Sequence, residues 1–129
     1  MAVTVTNSTI AAFNTIATVT SNAATANTDG LAEVFTITPT VSGTKLVVII
    51  GGTGEAADGD ITYSFAAGDF HAGKAVTGTV TKNTEKMIEV ETSNVLQSDG
   101  TILLTLDTEE ATDTLSGDHA AYVKVIQLL

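Results

Sequence analysis

The chain has 129 residues and a net charge of −10, with fifteen acidic side chains against five Lys, and it has no Cys, Trp or Arg. That length suits one domain. The lack of Cys excludes a disulfide scaffold, a zinc knuckle, an iron–sulfur site and a thiol nucleophile. Five Lys without Arg do not suit nucleic acid, because counterion release needs a cationic patch and base readout leans on Arg.

At 43% hydrophobic residues the chain is too apolar for an acidic disordered segment. Only six residues are aromatic, so the core must be built from Val, Ile and Leu. Met1-Ala2-Val3-Thr4 has no basic residue and no apolar run follows it, unlike a secretory leader. The longest apolar run, Leu46 to Ile50, is far short of the ~20 residues of a membrane helix. No membrane partner is expected.

Residues 1–28 contain no charged side chain and no Gly. They read as an uncharged arm or as one or two edge strands. Val3-Thr4-Val5-Thr6 has the period of a strand, whereas Phe13 and Ile16 also fit a helical turn. A domain spanning 29–129 follows. Leu31 to Thr38 alternates as a strand, with Leu31, Glu33, Phe35 and Ile37 on one face. Pro39 to Gly43 is a turn. Thr44 to Ile50 is apolar on both faces and predicts a central strand. Gly51 to Asp60 holds four Gly and predicts a long loop. Ile61 to Phe65 alternates as a strand, Ala67 to Gly73 is a loop, and Ala75 to Thr81 is a strand. Lys82-Asn83 turns into a strand over Glu85 to Glu91. Asn94 to Gln97 could form one helical turn, and Ser98-Asp99-Gly100 turns into a strand over Thr101 to Leu106. A charged loop, Asp107 to Asp118, leads to the last strand, Ala120 to Leu128. The expected fold is therefore all-β, an antiparallel β-sandwich, Ig-like or jelly-roll-like, of about seven to nine strands with an N-terminal extended arm.

Candidate chemistry is sparse. No G-x-S-x-G elbow accompanies His71 and His119. Asp118-His119 reads as a loop acid followed by a polar residue that opens the last strand. Glu55, Asp58 and Asp60 share one Gly-rich loop and could gather oxygen ligands for Ca²⁺. Asp58-Gly59-Asp60-Ile61 breaks the EF-hand pattern, so a solvated turn is the plainer reading. Glu109, Glu110 and Asp113 form a second such cluster. Gly51-Gly52-Thr53-Gly54 follows an apolar strand but lacks the Lys-Ser/Thr of a phosphate loop and a following helix. No catalytic residue, metal site or cofactor is expected. Phe70 and His71, in Gly68 to Gly73, read either as a contact loop or as a Phe tucked into the core rim.

Several phrases carry a resemblance. They are Ala2-Val3-Thr4-Val5-Thr6-Asn7, Phe35 to Thr40, Gly43 to Leu46, Tyr63 to Phe70 running on to Gly73-Lys74, Ser98 to Thr101, and Asp118 to Ile126. In these the chain resembles small tailed-bacteriophage head decoration, or capsid cement, proteins. The resemblance implies a non-enzymatic, all-β virion structural protein on the capsid exterior, made in the host cytoplasm. It would bind the major capsid protein and self-associate as a trimer or dimer. The residues expected at partner contacts are Val3, Val5, Ile10, Phe13, Ile16, Phe70 and His71. The rival expectations are a phage tail or fibre domain, and a bacterial surface sandwich that binds carbohydrate or Ca²⁺. The shortage of aromatic platforms weakens the carbohydrate version.

Overall fold

A computed structural model describes residues 2–10, 12, 14, 16–40, 45–71 and 73–128. Strands form where β-branched and apolar residues alternate with polar ones, since each second side chain then faces the core. Among the described residues there are ten: β1 (Ala2–Thr4), β2 (Asn7–Ile10), β3 (Asn22–Ala23), β4 (Glu33–Ile37), β5 (Leu46–Gly51), β6 (Ile61–Phe65), β7 (Val76–Val80), β8 (Glu85–Val90), β9 (Ile102–Thr108) and β10 (Tyr122–Leu128). One helical turn, α1 (Thr92–Val95), lies between β8 and β9. The expected Pro39 to Gly43 turn lies partly outside the described residues, from Val41 onward, as does Thr44 at the start of the expected central strand.

The strands form two mixed sheets of five. One has the order β1-β4-β9-β6-β7; the other has the order β2-β10-β5-β8, with β3 also paired to β10. The expectation of an antiparallel fold of seven to nine strands is corrected here. The β1–β4 and β2–β10 pairings are both parallel. The cause lies in chain direction: β1 and β2 form one extended run that leaves the first sheet for the second at Val5-Thr6, with no hairpin to reverse it.

Alternation decides which side chains go inside. Phe35 and Ile37 of β4, Leu46, Val48 and Ile50 of β5, Ile61 and Phe65 of β6, Ile102, Leu104 and Leu106 of β9, and Val123 and Val125 of β10 join one core cluster contributed by both sheets. Burying such side chains stabilises by about 1.5–3 kcal/mol each before entropy is charged. β5 is central, between β10 and β8. Its second face, Val47 and Ile49, is only half buried.

The uncharged first 28 residues contribute to this core. Val5, Ser8, Asn22, Ala24 and Ala26 are all buried. The Asn22 side chain ties the segment together by donating from Nδ2 to the Val123 carbonyl (2.9 Å) and accepting from the Thr6 N–H at Oδ1 (2.8 Å). Glu33 faces the core fully buried on β4. Its carboxylate accepts from the Thr25 N–H (2.7 Å), the Ala26 N–H (2.8 Å) and the Thr25 hydroxyl.

Candidate functional site

Register sorts the loops into two poles. Glu33 of β4 lies opposite Leu106 of β9, and Ile61 of β6 lies opposite Thr108 of β9 and Val80 of β7. The chain around 24–32, 52–60, 81–84 and 109–121 therefore gathers at one end. Phe65 opposite Leu104 and Val76, and Leu46 opposite Val90 and Gln127, place 66–75, 91–101 and the ends of β2 and β10 at the other.

The first pole is acidic. It collects Asp29, Glu55, Asp58, Asp60, Glu109, Glu110, Asp113 and Asp118, against Lys82 alone. At its centre is His119, which is fully buried. Its Nδ1 donates to the Thr53 carbonyl (2.8 Å), and Nε2 lies 3.2 Å from Asp113 Oδ2. Asp113 Oδ2 also accepts from the Gly59 N–H at 2.8 Å. The Gly59 amide and then the His119 ring hold the Asp113 carboxyl below the usual carboxylate range, against the opposing effect of burial. This corrects the reading of His119 as a polar residue that merely opens the last strand. Tertiary packing closes loops 52–60 and 109–121 around it, and both ring nitrogens are occupied. A ring so enclosed cannot reach a substrate, so its chemistry is to join loops 52–60 and 109–121.

Two acids of loop 52–60, Asp58 and Asp60, are occupied in a similar way. Asp58 Oδ2 accepts from the Glu55 N–H (2.5 Å), and Asp60 Oδ1 accepts from the Lys82 N–H (3.2 Å). Lys82 Nζ donates to the Ala56 carbonyl (3.4 Å) and to the Asp58 carbonyl. Among the described residues no three His, Cys, Asp or Glu side chains converge as a metal set.

The opposite pole carries Asp69, Glu91 and Asp99 against Lys45 and Lys74. Its loop 66–75 is pinned. The Gly68 and Lys74 N–H groups both donate to the Asn94 carbonyl (2.8 and 2.7 Å), and the Ser98 N–H donates to Asp69 Oδ2 (2.8 Å). Between these anchors Phe70 projects with 53% of its surface exposed, and His71 is exposed beside it. Phe70 is thus not tucked into the core rim.

The other expected contact residues divide. Ile10 ends β2 beside Leu128 at this pole, half buried. Ile16 is fully exposed. Val3 is half buried against the core and Val5 belongs to it. Phe13 lies outside the described residues. Sequence reasoning missed the joining role of His119 and Asp113. The signal was a His directly before Ala120-Ala121 at the mouth of a buried strand, but its partner sits on another turn of a long loop.

Comparison with known protein families, with curated proteins and with solved structures finds no match.

Proposed function

We propose that the protein is a non-enzymatic structural component of a tailed-phage virion. It sits on the capsid exterior, binds the major capsid protein through its less acidic pole, and turns its acidic pole outward. The observation that carries this reading is the polarity itself. A stiffly held loop presents Phe70 and His71 at the pole that also receives the uncharged β2, while eight acids crowd the other. Exposed apolar groups on a rigid support suit a protein partner, and the acidic end suits a soluble outer face.

The finer fold belongs to the same reading. β3 to β10 change sheets in the sequence that gives the orders β3-β10-β5-β8 and β4-β9-β6-β7, the connectivity of a jelly-roll sandwich. Jelly rolls recur in viral capsid and lectin domains.

The test is the protein content of purified virions. A fixed stoichiometry is expected in mature heads, and Ile16→Ser with Phe70→Ser is expected to lower head occupancy several-fold at unchanged melting temperature. Labelled protein that binds tails instead would move the reading to a tail or fibre domain. Melting that shifts with Ca²⁺ or a sugar, together with absence from heads, would replace it with a binding module.

A further inference from the structure

We infer that β7 is a self-pairing edge, taking as its partner β7 of a second copy of this chain, antiparallel about a twofold axis through Gly78. β7 ends its sheet, with β6 on one side and, among the described residues, no strand on the other. Free edges in monomeric β proteins are usually blunted by charge, Pro or a bulge. β7 has none of these. From Ala75 to Thr81 it is uncharged, in a chain of net charge −10.

Its sequence is also a palindrome, Val76-Thr77-Gly78-Thr79-Val80. A twofold interface requires a patch that complements itself. About Gly78, Val76 meets Val80, Thr77 meets Thr79, and Gly78 meets Gly78. The faces agree as well. Val80 is buried and Val76 half buried, while Thr77 and Thr79 are exposed on the opposite face. Lys86 Nζ of β8 donates to the Thr79 carbonyl at 3.3 Å, as it would to a carbonyl on the free side of the strand, and this exposed ammonium yields or shares that carbonyl when the edge pairs. With Thr77 and Thr79 both directed off the edge, each Thr77–Thr79 pair exchanges two main-chain hydrogen bonds across the axis.

The pairing stops where charge begins. Lys74 would lie opposite Lys82 of the second copy, but Lys82 turns its ammonium into its own loop, onto the Ala56 and Asp58 carbonyls. Of the other sheet edges, β8 carries Glu85, Lys86 and Glu89, and the uncharged β1 and β2 lack this self-complementarity.

The inference does not rest on the virion reading. Absence from heads leaves it standing, and a monomer that decorates heads overturns it alone. Sedimentation velocity of the full chain over a concentration series is the test. A monomer–dimer equilibrium is expected. Thr77→Glu with Thr79→Glu sets carboxylates against each other across the axis and should weaken the dimer at least about tenfold at unchanged circular dichroism. Thr77→Lys with Thr79→Glu sets opposite charges across the same pairs and should restore it. If the double-Glu variant misfolds, amide exchange decides: the Thr77 and Thr79 N–H groups of the unaltered chain should slow as its concentration rises. A monomer at all concentrations up to millimolar, a closed trimer, a dimer indifferent to both charge variants, or exchange at these two amides that ignores concentration would overturn the proposal.

Discussion

His119 and Asp113 join the acidic pole, and their burial makes the join sensitive to substitution. His119→Ala removes the donor to the Thr53 carbonyl, leaves Asp113 without its neighbour, and opens a cavity. It should cost about 2–4 kcal/mol, read by urea unfolding. The same site sets an acid limit. The Asp113 carboxyl is held below its ordinary value in the folded chain. Its contribution is therefore present above the unfolded value near 3.9 and is lost as pH falls through the lower folded value. Stability should decline below about pH 4, and Asp113→Asn should flatten part of that decline in melting curves taken from pH 7 to 2. At the other end of the scale, burial and the Glu85 carboxylate push the Tyr122 hydroxyl up to about 12, so it stays a donor at neutral pH.

At the scale of elements, the N-terminal stretch, expected as an arm or as edge strands, holds β1, β2 and β3. Deleting residues 2–10 would uncover the β4 and β10 edges and remove Val5 and Ser8 from burial. The truncated chain should melt at clearly lower temperature, so its failure to assemble could not be assigned to lost partner contact. Substitution at Ile16, which is exposed, separates the two effects. Glu33 fastens the same stretch from β4. Glu33→Ala would leave the Thr25 and Ala26 N–H groups without the carboxylate they share, and should cost about 2–4 kcal/mol in urea unfolding.

The strands themselves were legible from alternation. Ile61–Phe65 has the expected bounds, and the other six after residue 31 differ by one to three residues at their ends. The helical turn sits two residues earlier than expected, at Thr92–Val95. Turns were legible from their chemistry. Asn83 adopts φ 62° and Gly100 φ +85°, left-handed values that Asn and Gly take readily.

Across the whole molecule, local residue patterns dictate where strands and turns fall, because a period of two and the backbone preferences of Gly, Asn and β-branched residues act within a few positions. Composition along the chain likewise marks the uncharged start and the acidic remainder. Features that need distant segments to meet follow from packing and register instead. Register between β4, β6, β7 and β9 gathers acids from three separated loops at one pole and leaves Phe70 at the other. Parallel pairing, of β1 with β4 and of β2 with β10, places the uncharged start at two sheet edges with buried side chains. Burial of His119 depends on an acceptor far from it in the chain, Thr53, 66 residues away, and burial of Glu33 depends on donors at Thr25 and Ala26 that the fold of the preceding segment brings to it. A charged or polar side chain goes inside only when such partners replace water, and no local pattern of residues records where those partners will be.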